Sequence, residues 1–207
     1  MPARHDKAQR TSHPTKEALL TTVARLLDEA PLAEITVDVI LAESGISKGS
    51  LYHHFDDFSD LLEQALVRHF SSTVDKSIGM LTQVVHESKS QAESIAALHK
   101  STAKTTSSAL ATVRLERARL IGHAHGNPRL TERLAVEQSR LTNALADLFR
   151  AMQDKGWMGN HFDPRAAAVL IQAYALGRVV DDIVDDKISD EAWCQLINAI
   201  IDKVFVG

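Results

Sequence analysis

The stretch T-V-D-V-I-L-A-E-S-G-I-S-K-G-S-L-Y-H-H-F, Thr36 to Phe55, leaves few architectures open to the chain that carries it. Thr36 and Asp38 open a short helix with oxygen-bearing side chains, Val37, Ile40 and Leu41 form its buried side, and Gly45 stands just past its end. Ser47 is a second N-cap, and Leu51 and Phe55 lie four apart. Residues 47 to 54 therefore form another short helix, with a core face and a polar outer face. The pair is two short helices joined by a glycine-containing turn.

The flanks continue the helical pattern. Residues 1 to 14 read as a flexible basic arm, polar and closed by Pro14. Leu19, Val23, Leu26 and Ala30 then share one face of a helix from about Thr15 to Glu29, which Pro31 stops. After Phe55, Asp56 and Asp57 introduce a longer helix. It carries Leu61, Leu62, Ala65, Leu66 and Phe70 inward and extends to about Val85 past a weak point at Gly79. Beyond Ser90 no alternating strand signature occurs. Gly122 to Pro128 is a break, with Asn127 capping a long helix to about Lys155; residues 156 to 163 form a loop, and Asp163-Pro164 starts an unusually apolar helix to about 184. The last helix, about 189 to 206, carries Trp193, Leu196, Ile197, Ile200, Ile201, Val204 and Phe205 at spacings of three and four. A helix apolar most of the way round must be buried on more than one side, so these last two helices are expected to pack within the monomer and also to form a self-association surface.

Composition narrows the function. The chain of 207 residues is long enough for one or two domains, and it contains no run of about 18 uncharged apolar residues. Its beginning, with Arg4, His5, Asp6, Lys7 and Arg10, has no apolar signal core, which sets the expectation of a cytoplasmic protein without membrane contact. The single cysteine, Cys194, excludes an intramolecular disulfide and a multi-cysteine zinc site. A net charge of -4 rules against coating nucleic acid by bulk electrostatics. Even the first 55 residues are not basic: Arg4, Lys7, Arg10, Lys16, Arg25 and Lys48 are offset by Asp6, Glu17, Asp28, Glu29, Glu34, Asp38 and Glu43. Any nucleic-acid contact must be local.

The second short helix can supply it, because the major groove is wide enough to admit one helix. Lys48 can reach a guanine edge or a phosphate, Gly49 lets the backbone come close, and Ser47 and Ser50 can bond bases or phosphates. Tyr52, His53 and His54 lie further along the outward side, where hydroxyl and imidazole groups can bond phosphate oxygens. The plainer alternative makes these three residues mere surface polarity on a core helix.

At Thr36, Ile40, Gly45, Ser47, Gly49, Leu51, Tyr52, Phe55, Leu61 and Leu62, with Ile46 and Ser50 as conservative replacements, the sequence resembles the TetR family of regulators. The resemblance covers about residues 15 to 66. It implies an all-α protein: an N-terminal three-helix DNA-binding domain with a helix-turn-helix over 15–56, and a C-terminal helical domain over 57–207 that binds a small molecule and dimerises. It also implies that Lys48, Gly49, Ser50, Tyr52 and His53 face bases and nearby phosphates of a double-stranded operator, with Thr36 and His54 on phosphate. Three positions depart from the family pattern: Leu41 and Ser44 stand where alanines are usual, and Phe58 occupies the usual lysine position among Asp56, Asp57 and Asp60. Carboxylates oppose phosphate at a helix N-terminus, so that contact is expected to be weak, with the arm residues Arg4, Lys7 and Arg10 compensating.

Other groups invite chemistry and have simpler readings. His123, His125 and His161 with Glu116 and Asp163 are potential metal ligands, but His123 and His125 are two apart and would diverge on a helix, so a connecting loop is the preferred reading. Asp181, Asp182, Asp185 and Asp186 crowd an expected helix C-terminus, which calls for cations such as Arg178 or Lys187 or for a solvated loop. A ligand pocket is expected among helices near 60–85, 91–125 and 128–155. There Met80, Met152 and Met158 either line it or fill core gaps, and one of Arg114, Glu116, Arg117 and Arg119 could turn inward toward an anion. No catalytic residue, cofactor or metal is expected. The competing classes are a helical metal-dependent enzyme built on His123, His125 and His161, and a protein-binding adaptor.

Overall fold

The computed structural model describes residues 13–30 and 34–203, with the side chains at 81 and 83–86 excepted. Residues 1–12 of the basic arm, Pro31, and Val204 to Val206 lie outside the described residues, while Pro14 already opens the first helix. Among the described residues every regular element is a helix: α1 (Pro14–Glu29), α2 (Val37–Ser44), α3 (Lys48–His54), α4 (Phe58–Glu87), α5 (Gln91–Thr106), α6 (Ala111–Ala124), α7 (Pro128–Asp154), α8 (Pro164–Gly177), α9 (Val179–Asp182) and α10 (Asp190–Ile201). The chain forms two compact units, Met1–His69 and Phe70–Gly207, and α4 contributes residues to both.

The N-terminal unit is built on one apolar cluster. Leu19, Leu20, Val23 and Leu26 of α1 meet Ile40 of α2, Leu51 of α3, Phe55, and Leu61 and Ala65 of α4. At about 1.5–3 kcal/mol for each large side chain removed from water, this cluster is what holds three helices too short to persist alone. Of the expected inward face of α2, Ile40 is fully enclosed, while Val37 and Leu41 are half-buried and pack against the same cluster. Phe58 packs there as well, so the position where a lysine is usual is an apolar anchor for the start of α4. Ser44 acts locally, its hydroxyl accepting from the Ile46 N–H at 3.3 Å and so tightening the turn.

Two features of α4 explain its acidic beginning. Asp57 accepts from the Asp60 N–H at 2.6 Å, capping the helix, and the buried Asp60 carboxylate accepts from the Asp56 N–H at 3.3 Å and from Gln64 Nε2 at 3.0 Å. The weak point expected at Gly79 does not interrupt the helix, which runs on to Glu87. A single glycine costs only about 1 kcal/mol relative to alanine, too little by itself to break a helix of 30 residues.

The C-terminal unit has α7 at its centre. Leu130, Leu134, Leu141, Leu145, Leu148, Phe149 and Met152 line one side of it and are buried. The cap pairs read from the sequence are in place: Asn127 Oδ1 accepts from the Leu130 N–H at 3.1 Å, and Asp163 Oδ1 from the Ala166 N–H at 2.8 Å, each with proline in the first turn.

The apolar helix expected over 164–184 is not one helix. It stops at Gly177, and α9 is a separate short turn. The break falls at Arg178, whose side chain is buried, donating to the carbonyls of Thr106 and Ile188 and to Asp190 Oδ1 at 2.7 Å. The acidic run beyond it is also used internally. Asp182 pairs with Arg114 rather than with Arg178 or Lys187, and Asp181 accepts from the Ile188 N–H at 3.1 Å, while Asp185 and Asp186 are exposed.

Candidate nucleic-acid interface

The turn between α2 and α3 depends on Gly45, whose φ of 64° lies in the left-handed region and whose N–H reaches the Leu41 carbonyl at 3.0 Å. Each helix start is capped as its sequence dictates. Thr36 Oγ1 accepts from the Val39 N–H at 3.4 Å, and Ser47 Oγ accepts from the Ser50 N–H at 3.2 Å while pairing with Ser50 Oγ at 2.9 Å. Accepting through an oxygen lone pair leaves the Thr36 hydroxyl hydrogen available to an outside acceptor.

Leu51 and Phe55 fix α3 from below, both fully enclosed. The opposite side presents Lys48, Gly49, Tyr52 and His53 to solvent, with Tyr52 45% exposed although it is a large aromatic. Ser50 and His54 are half-buried at its margins. Seven of the eight residues singled out from the sequence, Ser47, Lys48, Gly49, Ser50, Tyr52, His53 and His54, thus belong to α3 or its cap, and Thr36 caps the helix before it. A side chain at 49 would meet nothing within the chain.

The sequence reading missed a partner of α3. His13, the residue before α1, packs its ring on His54 with centroids 4.4 Å apart, and His53 lies 5.0 Å from His54. Partial burial, then the neighbouring His13, His53 and Lys16, hold the His54 pKa below the usual histidine value. The only signal at His13 was its place ahead of Pro14; which residue it would meet depends on how α1 crosses α3.

The local charge is also decided by pairing. Arg25 is held by Glu29 at 2.5 Å and Glu43 at 2.7 Å, and Arg68 by Glu17 at 2.6 Å. Lys16 sits over the Phe55 ring, 5.2 Å from its centroid. Lys48 is exposed and makes no ion pair among the described residues, so it is the cation the outer side of α3 has to offer.

Elsewhere, His123, His125 and His161 are exposed, and no three histidine, cysteine, aspartate or glutamate side chains converge on a metal-sized site among the described residues. No helix among them is long and apolar enough to cross a membrane. Met152 and Met158 are buried and Met80 is exposed. Of the charged run on α6, Glu116 and Arg119 are exposed, while Arg114 is buried and Arg117 is partly buried.

The sequence profile of the family described as "Bacterial regulatory proteins, tetR family" matches residues 19–65, the segment that contains α2, α3 and their core. Among solved structures, the chain is similar to a protein described as a TetR-family transcriptional regulator from Mesorhizobium loti MAFF303099, at 15% identity and a TM-score of 0.68 over 91% of this chain and 94% of that one. Salmonella enterica GusR superposes with a TM-score of 0.66 at 20% identity, covering 94% and 97%. A protein described as a transcriptional regulator from Saccharomonospora viridis, in complex with choline, superposes with a TM-score of 0.69 at 20% identity, covering 93% and 97%. Among curated proteins none matches the sequence.

Proposed function

For a chain with the fold of TetR-family transcriptional regulators and an N-terminal unit that matches their family profile, we propose the role of a homodimeric repressor that leaves a palindromic operator when a small molecule binds its C-terminal unit. The observation that carries this reading is the outer side of α3. Lys48, Gly49, Tyr52 and His53 are exposed beside two fully buried anchors, and none of the four contributes to the core. In this reading Ser50 contacts a base edge, Lys48 reaches a base edge and neutralises an adjacent phosphate, Gly49 admits the backbone to the groove, and Thr36, Ser47, Tyr52, His53 and His54 bond phosphate oxygens.

The dimer reading rests on apolar side chains late in the chain. Val169 and Leu170 of α8, Val180 and Ile183 around α9, and Leu196 and Ile200 of α10 are exposed, with Val180 and Ile183 above 70%. A soluble monomer rarely leaves so many large apolar side chains uncovered, and a second copy of the same helices is their natural complement. The Saccharomonospora neighbour's complex with choline supports a small-molecule role for this fold.

Three experiments test the reading. Footprinting on DNA upstream of the gene should protect a palindrome with half-sites about one helical turn apart. Lys48→Ala should reduce the slope of log affinity against log salt by about 0.9 for each phosphate that is no longer neutralised, once for each subunit. Absence of any sequence-selective protection removes the proposal. For the assembly, Leu196→Asp combined with Ile200→Asp should convert a sedimenting dimer to a monomer with α-helical content retained.

A further inference from the structure

In the C-terminal unit Arg114 and Arg178 are buried, and each is matched by a carboxylate. Arg114 makes a bidentate pair with Asp182, both contacts at 2.7 Å, and donates to the carbonyls of Thr105 and Ser107. Arg178 has Asp190. Arg117, one turn along α6 from Arg114, has no carboxylate within ion-pair reach among the described residues. Its Nη2 donates to Gln138 Oε1 at 2.9 Å and lies 3.5 Å from Gln172 Oε1, and its Nε is enclosed without a hydrogen-bond partner. Burial pushes its pKa down, with no anion to push it back.

The surroundings are organised rather than accidental. Gln138 and Thr142 come from α7 and Gln172 from α8. Gln138 Nε2 donates to Gln172 Oε1 at 2.6 Å, and Gln172 Nε2 donates to Thr142 Oγ1 at 3.1 Å. The guanidinium carbon lies 5.5 Å from the centre of the buried Phe70 ring of α4. Four helices therefore meet at one cation whose hydrogen-bond acceptors among the described residues are amide oxygens. A withdrawn charge is costly unless paired, and amide oxygens compensate it less well than a carboxylate does. The two glutamine side chains add N–H donors that can be turned to an incoming oxygen.

We propose that Arg117 is the anchor of an effector site for an organic monocarboxylate, with Gln138 and Gln172 as its polar walls and Phe70 against the guanidinium face. One positive charge flanked by neutral amides suits a monoanion; a dianionic phosphate would keep an uncompensated charge. The planar fork of the guanidinium matches a carboxylate through two parallel bonds, which a lysine could not reproduce. Seating the anion competes with the present contact of Arg117 to Gln138 and so repositions the guanidinium against Phe70, which lies on α4, the helix that also contributes to the DNA-binding unit. The site names the ligand class for the regulatory reading above and rests on it only for its consequence at the operator.

The full-length protein is titrated with benzoate and hexanoate, with benzamide and hexanamide as neutral counterparts, and with choline and inorganic phosphate as charge controls, reading thermal unfolding. For wild type, at least one carboxylate should raise Tm by about 5–10 °C near 100 times its Kd, and its amide should not. Arg117→Met should weaken that carboxylate at least about 30-fold, while leaving the unliganded protein as stable as wild type or more so, because an unpaired buried charge is removed. Arg117→Lys should keep the preference for anions at reduced affinity. The site is refuted by an absence of carboxylate stabilisation, by equal stabilisation of the Met variant, by phosphate acting where carboxylates do not, or by a Met variant several degrees less stable than wild type. A carboxylate that binds through Arg117 but leaves operator affinity unchanged upholds the site and refutes the regulatory reading.

Discussion

Gly49 separates what folding requires of α3 from what DNA binding would require. It is the second residue of a seven-residue helix, exposed, and a methyl group at its Cα would touch nothing in the chain. Glycine in a helix costs about 0.5–1 kcal/mol relative to alanine through backbone entropy, and no turn or positive φ here offsets that cost. Gly49→Ala should therefore raise stability by up to about 1 kcal/mol, seen in urea denaturation as a higher midpoint at unchanged slope. If the start of α3 is pressed into the groove, the same methyl group holds the backbone away from the bases. Removing one good base contact per half-site costs about 1–3 kcal/mol, so a two-half-site complex weakens by about 2–6 kcal/mol, at least about 30-fold. The assay is fluorescence anisotropy on a site selected by the wild-type protein from random DNA. A variant that is more stable and binds that site as tightly as wild type would refute the placement of α3 against the bases.

Three further outcomes follow from the geometry. The depressed pKa of His54 means that the unfolded chain takes up its proton first, so stability falls as pH drops below the ordinary value of 6.5. Operator affinity should move the opposite way, rising from about pH 7.5 to about 6 as the imidazole becomes a cation beside phosphate, and His54→Gln should flatten that rise. Asp182→Asn leaves the buried Arg114 guanidinium without its anion and should cost about 3–5 kcal/mol in urea unfolding; because the Arg114 hydrogen bond holds the Asp182 pKa below 3.8, the wild-type contribution persists above that pH and is lost on further acidification. Phe58→Lys removes part of an apolar anchor and should cost about 1–2 kcal/mol, while operator binding tightens and its salt dependence steepens; no change in either binding measure would place the start of α4 away from phosphate.

The elements and the outer side of α3 were legible in the sequence because the forces that set them are local. An oxygen side chain at Thr36, Ser47, Asn127 or Asp163 caps whichever helix follows it, and Gly45 takes the left-handed conformation that ends α2. The period of three and four fixed which side of each helix is apolar, and so which residues of α3 remain outside. Cost and pairing were not local. Gly79 costs too little to interrupt the 30 residues of α4, and the helix expected to reach 184 breaks at Arg178, whose side chain finds acceptors on Thr106, Ile188 and Asp190. The sequence showed that Arg114 and Arg117 share a helix, but not that Asp182 would reach one of them and only glutamines the other. Charge complementarity depends on which side chains the tertiary fold brings within about 4 Å, and spacing along one helix carries no information about the helix packed against it.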